Sequence, residues 1–299
     1  MSGPGRFGAV VCAMATPFDD DGALDLDGAG RLARWLVDHG NDGLVVAGTT
    51  GESPVLSDAE KLDLWRAVRD AVTCPVIAGS SSNDTAHSIE LTRRATELGV
   101  DGILAVTPYY NRPHQAGLEA HFRAVAGATD LPVLIYDIPI RTGRKVATEV
   151  LVRLAGDVPN IVGVKDAAAD PPTSARLIAE AGPGFELYSG DDSFTLPLLA
   201  VGAVGVISVA SHWIGDRMGE MVAAYFKGDV DHARQVNAGL IPSYDFESGD
   251  LTPNPLPTKA ILRALGLPSG QCRLPLGLAP DGLDERAAAL LAGLGASDG

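Results

Sequence analysis

Lys165 closes the apolar run Ile161-Val162-Gly163-Val164. A lysine held in dry surroundings has its pKa lowered, so that part of it is a free amine near neutral pH. Such an amine can attack a ketone and form a Schiff base. The iminium is an electron sink, so the neighbouring carbon can lose a proton and become an enamine nucleophile. The ordinary alternative is a lysine that snorkels or pairs with Asp166, and for a lone lysine on a strand that would be the better reading. The chain has five lysines, however, and Lys61, Lys145, Lys227 and Lys259 fall in helices or loops. Tyr136 ends another apolar run, where a phenol could shuttle protons during imine formation or simply plug a rim. Thr49 and Thr50 lie in a turn flanked by Gly48 and Gly51. Their hydroxyls and N–H groups could hold a carboxylate, with the glycines permitting close backbone approach. Arg141 could hold a second carboxylate in bidentate fashion. Glu52, Asp191 and Asp192 read as acceptors that anchor loops.

These residues share a placement. Eight short runs rich in Val, Ile and Leu read as strands buried on both faces, over 9–13, 44–47, 76–78, 103–106, 133–136, 162–165, 186–188 and 206–209. Gly48-Thr49-Thr50-Gly51-Glu52, Thr107-Pro108-Tyr109-Tyr110-Asn111, Tyr136-Asp137-Ile138-Pro139, Lys165-Asp166 and Ser189-Gly190-Asp191 all follow the C-terminal ends of such runs. That is the face where barrels build active sites. Amphipathic segments separate the runs: 26–38, then 57–72 with the capping-box pair Ser57 and Glu60, then 84–98 with Asp84 as N-cap. A weak repeat, Gly40-x-x-Gly43, Gly99-x-x-Gly102 and Gly202-x-x-Gly205, precedes three of the runs. Its first glycine suits a left-handed helix cap and its second the tight start of a buried strand. The expected fold is a (β/α)8 TIM barrel in the α/β class, with its core over 1–211 and a C-terminal helical extension packed on it over 212–299.

Composition narrows the function classes. The 299 residues are 46% hydrophobic and 20% charged, with net charge −15. An acidic surface argues against nucleic acid and anionic membranes as partners. Three dispersed cysteines, Cys12, Cys74 and Cys272, argue against a disulfide framework and a cysteine-rich zinc site, and for a reducing compartment. Residues 1–7 contain no apolar signal segment. The uncharged stretch 193–211 is broken by Pro197, Gly202 and Gly205, and reads as a buried helix, a turn and a strand rather than a membrane span.

From Val10 to about Leu278 the chain resembles the 4-hydroxy-tetrahydrodipicolinate synthases, also called dihydrodipicolinate synthases, within the N-acetylneuraminate lyase superfamily. The motifs that carry this are Ala15-Thr16-Pro17-Phe18, GTTGES at 48–53, TPYYNRP at 107–113, YDIP at 136–139 with Arg141-Thr142-Gly143, GVKDA at 163–167, SGDD at 189–192, GVISV at 205–209 and PNPLP at 253–257. The resemblance implies a lyase of lysine and diaminopimelate biosynthesis in the cytoplasm. Lys165 would form the pyruvate Schiff base. Tyr136, Thr49 and Tyr110 would relay protons, with Tyr110 reaching into a neighbouring subunit's site. Thr50, beside Gly48, would bind the pyruvate carboxylate, Arg141 would bind the carboxylate of aspartate semialdehyde, and the Ile207 carbonyl would face the site. It implies no metal and no cofactor beyond the covalent pyruvate imine, and a homotetramer built from two tight dimers.

Two features depart from the family pattern. Ser81 replaces a common glycine after the third strand, which bears on the local loop. At the positions of the family's lysine-binding effector pocket stand Asp58, Lys61, Asn83 and His87. Lys61 would repel a lysine ammonium and His87 would lack an anionic partner, so weak or absent lysine feedback is expected. Superfamily members that cleave sialic acid or keto-deoxy sugar acids share the Lys and Tyr, so an aldolase acting on another aldehyde is the alternative. A sensor barrel that has lost its chemistry is disfavoured by the intact Lys165, Tyr136 and Thr49. A phosphosugar enzyme is disfavoured by the acids and bulk after the seventh and eighth strands.

Overall fold

Residues 3–297 are described in a computed structural model. Its eight strands are β1 Val10–Ala13, β2 Gly43–Val46, β3 Val76–Ala78, β4 Gly102–Val106, β5 Val133–Asp137, β6 Ile161–Asp166, β7 Glu186–Ser189 and β8 Gly205–Ser208. They pair in chain order, all parallel, and β8 closes on β1. Between them run α1 Leu26–Asp38, α2 Asp58–Ala71, α3 Thr85–Leu98, α4 Gln115–Ala126, the short α5 Pro139–Thr142, α6 Thr148–Asp157, α7 Pro171–Ala181 and α8 Thr195–Val201. After β8 come α9 Ser211–Phe226, α10 Val230–Phe246, α11 Leu256–Ala264 and α12 Leu283–Ser297. The expected TIM barrel is therefore the fold. Among the described residues no helix is long and apolar enough to cross a membrane.

Local chemistry sets the boundaries. Ser57 and Glu60 form the reciprocal capping box at the start of α2, and Asp84 caps α3 through the Ala86 and His87 N–H groups. Gly40, Gly99 and Gly202 adopt φ of 84°, 78° and 113°, the left-handed conformation that ends a helix at little cost to glycine. The second glycine of each repeat is a matter of space. A Cβ on Gly205 would stand 2.3 Å from the Ala9 carbonyl oxygen, and one on Gly102 would stand 2.6 Å from the Phe7 ring.

Two hydrophobic layers belong to the barrel itself, and a third cluster around Ile261 and Leu283 joins the C-terminal helices. The larger lies between strands and helices and includes Leu36, Trp65, Phe122 and Met218. The smaller fills the barrel bore with Phe7, Val11, Val45, Leu134, Tyr136, Tyr188 and Ile207. In β6 the alternation of faces is interrupted: Val133 pairs with Ile161, but Leu134 pairs with Gly163. One extra residue in β6 opposite β5 resets the parity of the strand. Ile161 and Val164 then both face the helices, and Lys165 aligns with Tyr136, whose ring lies in the bore. Without that extra residue Lys165 would face the helical layer.

The C-terminal helices are bound to the barrel by charge as well as by apolar contact. Lys259 of α11 lies 2.7 Å from the Glu52 carboxylate, and each side chain is 1% exposed. The Lys259 ammonium also donates to the Gln271 carbonyl and stands over the Phe18 ring. Glu52 takes a left-handed φ of 56° directly after the GTTG turn, so this pair clamps the loop after β2. Removing one partner of a buried pair strands the other charge. Lys259→Met should lower unfolding free energy in urea by about 3–5 kcal/mol, and adding Glu52→Gln should recover part of that loss.

Candidate active site

The mouth of the barrel gathers Thr49, Thr50, Tyr136, Arg141 and Lys165 around one pocket, together with Asp191 and Glu247. All five of the expected strand ends line this pocket or the adjoining one, which shares Thr49, Tyr136 and Arg141 and reaches Gly48 and Tyr109.

Lys165 is 4% exposed, and its Nζ lies 4.3 Å from the centroid of the Tyr136 ring. Burial lowers its pKa to about 8; Asp192, Cys12 and Glu247 oppose the shift, and Arg141 adds to it. Asp166 takes no part in holding the amine. Its carboxylate accepts from the Ser174 hydroxyl at 2.6 Å and the Ala168 N–H at 2.9 Å, so it is turned toward α7. That removes the ordinary pairing as an account of Lys165. Gly190 leaves room for the lysine stem, because a Cβ there would come within 3.0 Å of Lys165 Cγ.

Tyr136 is 5% exposed. Burial pushes its phenol up to about 12, while Arg141 and a hydrogen bond with the Thr49 side chain pull the other way. A phenol beside a free amine and a threonine hydroxyl can pass a proton in either direction. Thr50 is buried, and its hydroxyl accepts from Asn254 Nδ2 at 3.0 Å. The Asn254 carbonyl in turn accepts from Arg141 at 3.4 Å. Asn254, in the PNPLP motif, therefore holds both Thr50 and Arg141; the motif flagged the segment, and nothing local pointed to this role. The loop itself is strained, with Ala47 at φ 57° and Glu52 at φ 56° flanking the two threonines.

Asp192 anchors a loop as expected, its Oδ2 accepting from the Val209 and Ala210 N–H groups. Glu52 does the same for the Arg273 N–H. Ser81 bridges β3 and β4: its hydroxyl accepts from the Val106 N–H at 2.6 Å, which fixes the loop that a glycine would leave free. Ile207 packs in the bore. Tyr110 stands apart from these residues, 89% exposed with φ 71°, and lines neither pocket. Among the described residues no group of three or more His, Cys, Asp and Glu side chains could hold a metal ion.

One expectation is corrected. His87 does have an anionic partner: its Nε2 lies 2.9 Å from the Asp58 carboxylate, which α2 brings to α3. Lys61 is 6% exposed, and burial lowers its pKa, with Asp58 opposing.

The pattern of a family model described as "Dihydrodipicolinate synthetase family" matches residues 6–292. A 4-hydroxy-tetrahydrodipicolinate synthase from Moorella thermoacetica is 52% identical over 91% of this chain and 92% of its own. Among solved structures, a dihydrodipicolinate synthase from Bacillus anthracis is 42% identical, with a TM-score of 0.92 over 96% of this chain and 98% of that one. Another, from Cyanidioschyzon merolae with lysine bound, is 41% identical, with a TM-score of 0.94 over 97% and 99%.

The amine sets a pH dependence. Lys165 is protonated below about 8 and free above it, so the rate at which borohydride traps pyruvate on the protein should rise through that pH. A rate flat from pH about 6 to 10 would contradict a lysine tuned in this way.

Proposed function

Because the chain belongs to the dihydrodipicolinate synthetase family, we propose that it condenses pyruvate with L-aspartate 4-semialdehyde to give 4-hydroxy-tetrahydrodipicolinate, in lysine and diaminopimelate biosynthesis. The observation that carries the chemistry is the buried Lys165 amine, lowered to about 8 and set over the Tyr136 ring. It attacks the pyruvate ketone; the carbinolamine loses water and becomes an iminium. Loss of a methyl proton gives the enamine, whose carbon bonds to the aldehyde carbon while the aldehyde oxygen takes a proton. The amino group of the new chain then displaces Lys165 and closes the ring, freeing the amine.

Tyr136 and Thr49 move the protons in this reading, and their mutual hydrogen bond supports it. Thr50 and the neighbouring Gly48 backbone hold the pyruvate carboxylate, the Ile207 carbonyl faces the imine, and Arg141 holds the carboxylate of the semialdehyde. Tyr110 completes the relay from a second subunit; its exposure, and its position outside its own chain's pocket, favour that role. The working form is then a homotetramer, a dimer of tight dimers, in the cytoplasm. It needs no metal or organic cofactor, because the iminium supplies the electron sink. The alternative is a superfamily aldolase acting on another aldehyde; Arg141-Thr142-Gly143 after β5 favours the semialdehyde.

The assay couples product to its NADPH-dependent reductase. Lys165→Ala should lose at least ~10³-fold in kcat, and Tyr136→Phe about 10²-fold. Arg141→Ala should raise KM for the semialdehyde about 10–100-fold while that for pyruvate changes little. No turnover with the semialdehyde, alongside trapping of pyruvate on Lys165, would move the assignment to another aldehyde. Lys61 still opposes a second ammonium at the α2–α3 contact. Lysine at about 1 mM should inhibit less than about twofold, and submillimolar half-inhibition would refute that.

A further inference from the structure

Two carboxyl groups meet beside the Schiff-base lysine. Asp192, in the turn after β7, is 1% exposed. Its Oδ2 accepts from two backbone N–H groups, those of Val209 and Ala210, both at 2.9 Å. Its Oδ1 is buried and meets no donor from elsewhere in the protein. Glu247, the residue that follows α10, lies within hydrogen-bonding reach of Asp192 and of the Ala210 N–H. Its Oε2 is buried too, also with no donor from another residue. Ionised carboxylates only accept hydrogen bonds, so two that meet with a buried oxygen on each hold a proton between them, even though part of the Glu247 side chain lines the pocket beside Lys165. The pair of backbone donors makes Asp192 the acceptor, which leaves the proton on Glu247. Burial first, and then the Asp192 charge, push the Glu247 carboxyl well above its ordinary range.

The surroundings give this proton a purpose. The groups that act electrically on Lys165 are Asp192, Cys12, Glu247 and Arg141. Burial keeps the Cys12 thiol neutral. Facing Glu247 are Asp192, Asp191 and the buried Tyr244 phenol. Were Asp192 and Glu247 both ionised, two negative charges would hold the lysine in its ammonium form, where it cannot attack a ketone.

We propose that Glu247 is a positioning residue for the Schiff-base step: protonated in the resting enzyme, it donates its O–H to Asp192, locks the end of β8, and leaves one negative charge instead of two beside Lys165. This rests on the Lys165 reading given above.

The test compares the full-length protein with Glu247→Gln and Glu247→Ala. The alanine variant should lose kcat about tenfold with little change in pyruvate KM, because Asp192 loses its donor. Glutamine, which donates but cannot ionise, should restore kcat. With glutamine the pH midpoint for trapping pyruvate on Lys165 should stay within about 0.3 unit of wild type. An acid shift of about half a unit or more would mean that Glu247 had been ionised beside the lysine, and would overturn the proposal. Infrared difference spectra, wild type minus Glu247→Gln near neutral pH, should show a protonated-carboxyl stretch, and its absence would overturn the proposal as well. That band needs no substrate, so it can fail while Lys165 still traps pyruvate. Failure of the wild type to trap pyruvate would instead end the Lys165 reading.

Discussion

A nucleophilic amine at neutral pH must be kept from water, and that constraint organises this barrel. Desolvation is the largest influence on Lys165, and several features produce it. The extra residue in β6 turns the side chain into the bore. The Tyr136 ring covers one flank of the ammonium. Asp166, the nearest carboxylate along the chain, is drawn away by Ser174 and Ala168. The same dryness that frees the amine raises the Tyr136 phenol, so acid and base are tuned in opposite senses by one environment.

The helices after the barrel are part of this arrangement. Asn254, just before α11, holds the Thr50 hydroxyl and, through its carbonyl, Arg141. Lys259 of α11 holds Glu52 at the end of the strained turn. Glu247 follows α10 and meets Asp192 beside the end of β8. Loops at the mouth of a barrel are otherwise its most mobile parts. Here ties to distant parts of the chain, the Asn254–Thr50 bond spanning 204 residues, fix them from above.

The sequence made the periodic features legible. The eight apolar runs coincide with the eight strands to within a residue or two, and the Gly-x-x-Gly repeats are helix caps followed by crowded strand starts. Lys165, Tyr136, Thr49, Thr50 and Arg141 could be singled out because each is unusual at the end of an apolar run, and the barrel brings them together. Features that depend on pairing across the fold were not legible. Nothing near Thr50 points to Asn254, 204 residues away. Asp58 and His87 belong to different helices, and only the packing of α2 on α3 shows that they meet. The parity reset in β6 is also invisible in IVGVKD, because the extra residue is defined only against β5.

The floor of the barrel has a consequence for traffic. The Phe7 N–H binds the Tyr188 hydroxyl, Gly5 hydrogen-bonds to the Val204 carbonyl, and the Phe7 side chain fills the bore beneath Leu134 and Ile207. With that end of the bore filled, the Lys165 amine faces the loop-bearing mouth, where Thr49, Tyr136 and Arg141 line the pocket. The floor supports the chemistry by staying shut, and the mouth carries the traffic.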